Sequence, residues 1–196
     1  MAAAQQLNRY QDPRFGCEAI KLLPGECLAT RDELLLVSVL GSCVSVCLYD
    51  SQGGLGGMNH FMLPGDGGGN ALLSSSARYG VHAMDLLISQ LVRLGGQRRH
   101  FQAKVFGGGS VLRQLSADVG QRNVDFVLGY LATEGIPVVA SDLLDVYPRK
   151  LYFFPASGRV LLRKLHVLDN DTVLARESDY RRRLSGRARD GGVDLF

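Results

Sequence analysis

Apolar positions along this chain recur in two distinct periods. "LLLVSVL" (34–40) and "VSVCLYD" (44–50) are rich in Val and Leu with partial alternation, the pattern of strands with a buried face. "SQGG" at 51–54 signals a turn, after which "LGGMNHFML" reads as a returning strand. "FQAKVFGGG", "PVVASDLL", "KLYFFP" and "RVLLRKLHVL" add further strands, the last two joined by an "ASG" turn. Two stretches switch to the helical period. In "ARYGVHAMDLLISQLVRLGG", Val81, Met84, Leu87, Ile88 and Leu91 fall on one face, and Gly95 and Gly96 stop the helix. In "NVDFVLGYLATEGI", Val124, Val127, Leu128 and Leu131 share a face, with Asn123 expected as the N-cap. About seven strands and two helices result. Because hairpin-type turns dominate, the expected class is α+β: a mixed β-sandwich flanked by helices, in preference to a doubly wound parallel sheet.

The periodicity fades at both ends. Residues 1–15 are polar and mixed, and "RESDYRRRLSGRARDGGVDLF" at 176–196 turns Arg-rich without an apolar period. One domain over residues 16–175 is therefore expected, after a poorly ordered start and before a flexible basic tail. "GDGGGN" at 65–70 reads as a flexible loop. A formal charge of +3 is too small to point to nucleic acid or membrane as the main partner. No apolar run approaches the length of a membrane span, and the start lacks the apolar core of a secretory signal. The four cysteines, at 17, 27, 43 and 47, contain no CxxC pair. That argues against a disulfide scaffold or a zinc site and for free thiols in a reducing cytoplasm.

Candidate chemistry centres on the Gly-Ser-Cys step that interrupts the apolar run 34–50. If the "SQGG" turn centres near Gln52-Gly53, residue 45 lies opposite 60 and residue 43 opposite 62. Cys43 and His60 would then be diagonal neighbours on one face, within reach of each other's side chains. A one-residue slip would put them on opposite faces. An imidazole beside a thiol can take its proton, hold the thiolate and later protonate a leaving amine. Gly41 and Ser42 add little bulk around the sulfur, and backbone N–H groups at the kink could stabilise an oxyanion. The alternative is an ordinary buried cysteine beside a structural histidine. Cys47, in "VCLY" without a polar partner, reads as core. His82, His100 and His166 read as structural or solvated, and "GGGS" at 107–110 as a tight turn in preference to an anion nest.

The blocks "LGSCVSVCLYD", "GGMNHFMLP", "ARYGVHAMDLLI", "KVFGGG", "QRNVDFVLGYL" and "YPRKLYFFPASGRVLLRKL" resemble, in order and spacing, the bacterial chemotaxis family CheD over about residues 22–167. The resemblance implies a fold like the deamidase domain of cytotoxic necrotizing factor toxins. It also implies an activity: conversion of selected glutamines on methyl-accepting chemotaxis receptors to glutamate, with release of ammonia and no metal or organic cofactor. A further implied partner in some species is CheC, a phosphatase acting on phosphorylated CheY. Residue by residue, Cys43 matches the family nucleophile and His60 its general base. The family's third member is a Thr shortly before LGSC. The window "LLLVSVLGSC" has none, leaving Ser38 as the candidate for orienting the imidazole, a role that a backbone carbonyl could also fill. Val37, one position earlier, cannot do so through its side chain. A second departure is "SDLLDVYPRK", where relatives usually carry glycines in place of Leu144 and Asp145. Two rival readings follow: a non-catalytic regulatory module binding a CheC-type phosphatase or receptor, and a cysteine hydrolase of other amides.

Overall fold

The computed structural model describes residues 7–64, 75–110 and 118–165, with short helical pieces at 175, 178–180 and 182–184. The 65–70 loop, His166 and most of the 176–196 tail lie outside the described residues. Ten strands and two α-helices are described: β1 (Asn8–Asp12), β2 (Cys17–Lys21), β3 (Cys27–Thr30), β4 (Leu35–Leu40), β5 (Val44–Asp50), β6 (Leu55–Asn59), α1 (Ser75–Arg93), β7 (Phe101–Gly107), α2 (Asp118–Thr133), β8 (Val138–Leu143), β9 (Arg149–Phe154) and β10 (Arg159–Lys164). They form two five-stranded sheets, in the orders β1-β2-β4-β9-β10 and β3-β6-β5-β7-β8. Each sheet holds one parallel pair, β2·β4 in the first and β7·β8 in the second. The class is thus the expected α+β mixed sandwich.

The core has two main layers. Between the sheets lie Leu36, Leu40, Cys43, Cys47, Met58, Met62, Leu151 and Phe153, among others. On the other side of the second sheet, Val44, Val46, Leu48 and Phe61 pack against Met84, Leu87, Leu91, Val127 and Leu131 of the two helices. Strand alternation produces this division: odd residues 43–47 face the first sheet and even residues 44–48 face the helices.

Several expectations need correction. Residues 8–12, in the segment expected to be poorly ordered, form β1, which pairs antiparallel with β2. "NRYQD" lacks apolar alternation because a short edge strand is held by its ladder and needs few buried side chains. In the basic tail, Leu184 is buried in the inter-sheet cluster and Tyr180 packs against it. Tyr180 also shares a hydroxyl–hydroxyl bond with Tyr79. On α1, Val81 is exposed while Gly80 packs under Phe126 and Leu63, so the buried stripe runs 80, 84, 87, 88, 91. On α2, Leu128 is exposed. That helix begins at Asp118, five residues before Asn123, which is a fully buried interior residue and not the N-cap.

Candidate active site

The Gly-Ser-Cys step is where the chain changes sheets. β4 belongs to the first sheet and β5 to the second, so the segments on either side of residues 41–43 are not hairpin partners. Small residues suit such a crossing, since the chain turns from one layer into the next with backbone close on both sides.

The β5–β6 register follows the predicted hairpin. Cys47 pairs with Met58, and an isolated bridge joins Val44 to Phe61. Continuing this register sets residue 45 opposite 60 and residue 43 opposite 62. Phe61 lies among the helix-facing residues, whereas Met58 and Met62 lie between the sheets with Cys43. His60, between Phe61 and Asn59, therefore shares the inter-sheet face with Cys43. The cysteine is 0% exposed and the histidine 2%.

Ser38 reaches the same place from the opposite sheet. Alternation along β4 turns Leu36, Ser38 and Leu40 inward, and Val37 joins Leu35 on the outer face. Ser38 Oγ lies 2.8 Å from His60 Nδ1 and donates to the carbonyl of Leu22 at 3.2 Å. His60 Nδ1 is itself 3.2 Å from that carbonyl. Two acceptors so close would repel, so the arrangement favours a proton on Nδ1, donated to Ser38 Oγ and Leu22 O. The lone pair then sits on Nε2, as a base toward a thiol requires. The main chain at 60 is held as well: its N–H donates to Glu26 O at 2.9 Å and its carbonyl accepts from Gly25 N–H at 2.7 Å.

A glycine loop braces the other side of the cysteine. Gly108 N–H donates to Cys43 O at 2.9 Å, and Gly109 N–H to Gly41 O at 2.8 Å. These donors serve protein carbonyls, which accords with "GGGS" as a tight turn. Gly107 has φ of 115°, and a Cβ there would stand 2.1 Å from Cys43 O, so only glycine fits this contact. Behind the loop, Leu144 N–H donates to Gly107 O and Ser110 N–H to Asp145 O, both at 2.8 Å. Leu144 and Asp145 have φ of 61° and 72°, the left-handed conformation that glycine favours. Arg149 holds this strained turn. Its fully buried guanidinium pairs with Asp142 and donates to the carbonyls of Leu144 and Tyr147.

The other described histidines lie away from this site. His82 is exposed on α1, and His100 lies 3.7 Å from Asp50 at the far end of β5. Cys47 is fully buried, and that burial pushes its thiol well above the ordinary range, with Lys104 a minor opposing influence. Burial likewise pushes Cys27 up to about 12. None of the four cysteines is in a disulfide. Sequence reading missed Arg149 and the structural part played by Asn123. The signal for the second was present: a polar residue beside the apolar stripe Val124, Val127, Leu131.

Comparison with known proteins bears on these residues. A family model described as "CheD chemotactic sensory transduction" matches residues 62–164, beginning two positions after His60. Whole-length relatives span the rest. "Probable chemoreceptor glutamine deamidase CheD 1" of Dechloromonas aromatica is 58% identical over 190 residues, 96% of this chain and 94% of that one. The protein of the same name from Shewanella oneidensis is 52% identical, covering 99% of this chain and 95% of its own. "Probable chemoreceptor glutamine deamidase CheD" of Laribacter hongkongensis is 52% identical, covering 100% and 96%. Among solved structures, the hypothetical protein YfiH of Bacillus licheniformis aligns over 62% of this chain and 49% of that one, with a TM-score of 0.40 and 15% identity, too slight a likeness to bear on fold or function. Among the described residues no helix is long and apolar enough to cross a membrane. A match over more than half the chain, with such identity over nearly all of it, means that this chain belongs to the CheD family.

Proposed function

We propose that this protein is a chemoreceptor glutamine deamidase, with Cys43 as nucleophile, His60 as general base and acid, and Ser38 orienting the imidazole. The observation that carries this reading is the 2.8 Å contact of Ser38 Oγ with His60 Nδ1, on the face that His60 shares with Cys43. The names of the relatives supply the substrate class. The same contact favours an enzyme over a regulatory module that has lost its chemistry, because the hydroxyl absent from the family's Thr position is supplied by Ser38.

The steps follow from the residues. His60 Nε2 accepts the Cys43 thiol proton as the sulfur attacks the carboxamide carbon of a receptor glutamine. The carbonyl π pair moves onto oxygen, where backbone N–H groups at the 41–43 crossing stabilise it. The oxyanion collapses, the C–N bond breaks and His60 returns its proton to the departing nitrogen, giving ammonia and a thioester. A water deprotonated by His60 then adds to the thioester. Expulsion of the sulfur, reprotonated by His60, leaves glutamate. The sulfur has no exposed surface in this structure, so a receptor side chain reaches it only when the apolar rim around Cys43 opens.

The test is to incubate the protein with a receptor cytoplasmic fragment and follow each glutamine by mass spectrometry for conversion of amide to acid. Conversion that depends on Cys43 and His60 is expected. No conversion by the wild-type protein would sink the enzyme reading, and conversion surviving Cys43→Ala would sink the nucleophile assignment.

A further inference from the structure

We propose that Asn123 is a positioning residue for the oxyanion site, acting through the Ser42–Cys43 peptide; this rests on the deamidase reading above. Asn123 is 0% exposed in the middle of α2. Its Nδ2 donates to Ser42 O at 2.9 Å, and its Oδ1 accepts from Leu63 N–H at 2.9 Å. One side chain thus ties together the two segments that carry the nucleophile and the base, the crossing before β5 and the extension after β6.

The contact completes a pattern. Three successive carbonyls at the crossing each accept a hydrogen bond: Gly41 from Gly109, Ser42 from Asn123 and Cys43 from Gly108. No peptide here is cis, so each N–H points opposite to the carbonyl of its own peptide unit. With Ser42 O turned toward α2, the Cys43 N–H is turned away from it. A bonded carbonyl also polarises its peptide, which strengthens the N–H as a donor. The platform is firm, since a Cβ on Gly120 of α2 would lie 2.3 Å from Gly108 O, the helix resting directly on the glycine loop. A donor aimed before reaction at the place where negative charge develops is the arrangement that lowers the barrier.

The test separates the oxyanion from the thiolate. Asn123→Asp keeps an acceptor for Leu63 N–H but puts an oxygen against Ser42 O. We expect kcat for deamidation of a receptor fragment to fall by about 100-fold with KM unchanged, the scale of losing one oxyanion donor. Alkylation of Cys43 by iodoacetamide, a displacement that develops no oxyanion, should keep the wild-type rate and pH profile. Wild-type kcat in a folded variant would overturn the proposal, and so would a parallel loss of alkylation, which would mark a merely structural role. Should the buried carboxylate prevent folding, Asn123→Ala allows the same comparison. A wild-type protein that converts no receptor glutamine would instead remove the deamidase reading, and this proposal with it.

Discussion

Cys43 and Cys47 lie four residues apart, on the same face of the same region, in the same apolar cluster, and neither has any exposed surface. Burial does not distinguish them; their surroundings do. Cys47 sits within regular pairing between Met58 and Lys104, and burial pushes its thiol up, away from the thiolate. Cys43 sits at the crossing between sheets, on the face of His60, with its carbonyl and that of Gly41 tied to a glycine loop. A thiol becomes a candidate nucleophile through its neighbours, and the regular strand around Cys47 supplies only the pull of Lys104, which burial outweighs.

The sharpest test of that contrast is paired substitution. Cys43→Ala should reduce deamidation by about 10⁴-fold or more, as loss of a covalent nucleophile does. Cys47→Ala should leave kcat near wild type and act on stability alone. Mass spectrometry of a receptor fragment reads the first effect and thermal unfolding the second. Equal losses from both substitutions would erase the distinction between them.

Next in size is the support behind the crossing. Arg149→Met removes a buried cation that holds Asp142 and the carbonyls of Leu144 and Tyr147. Asp142 is partly exposed and keeps Lys164 at 3.4 Å, so the loss falls on the two carbonyls left without their donor and costs about 1–3 kcal/mol, measurable by denaturant unfolding. Because this turn backs the loop that holds Cys43, activity should fall further than the loss of folded protein explains.

Ser38→Ala is expected to be milder. Leu22 O remains near His60 Nδ1, so the tautomer persists while the ring is held by one partner fewer. A loss of about 10-fold in kcat, the scale of one modest hydrogen bond, should come with an altered pH–rate profile. An unchanged profile and rate would leave the orientation to the carbonyl alone.

The smallest effect lies at the far end of β5 and should spare activity. Burial alone would raise the Asp50 carboxyl, but N–H bonds from Gln97, Gln52 and Gly53, with His100 nearby, hold it below its ordinary value. A carboxyl lowered in the folded state contributes stability above its unfolded pKa, and that contribution is lost as pH falls through the folded value. Asp50→Asn should therefore cost about 1–2 kcal/mol near neutral pH, with the difference from wild type closing in acid below the usual carboxylate range. Unfolding curves across pH check this, and an unchanged deamidation rate would separate the two ends of the strand.

How far the sequence reached depends on the range of the interaction involved. The "SQGG" turn and the alternation on either side of it determined the register of β5 with β6, and with it the shared face of Cys43 and His60, because hairpin register is a local matter. The two helices were legible for a similar reason, although Val81 and Leu128 show that a period of 3.6 locates a stripe only to within one residue. The same sequence could not reveal that "LLLVSVL" and "VSVCLYD" separate into opposite sheets. Strand alternation records that a face is buried and not against which partner. That separation brings Ser38 to His60, and the packing of α2 brings Asn123 to Ser42. Both contacts join segments distant in the chain, and only the closing of one layer over another could decide them.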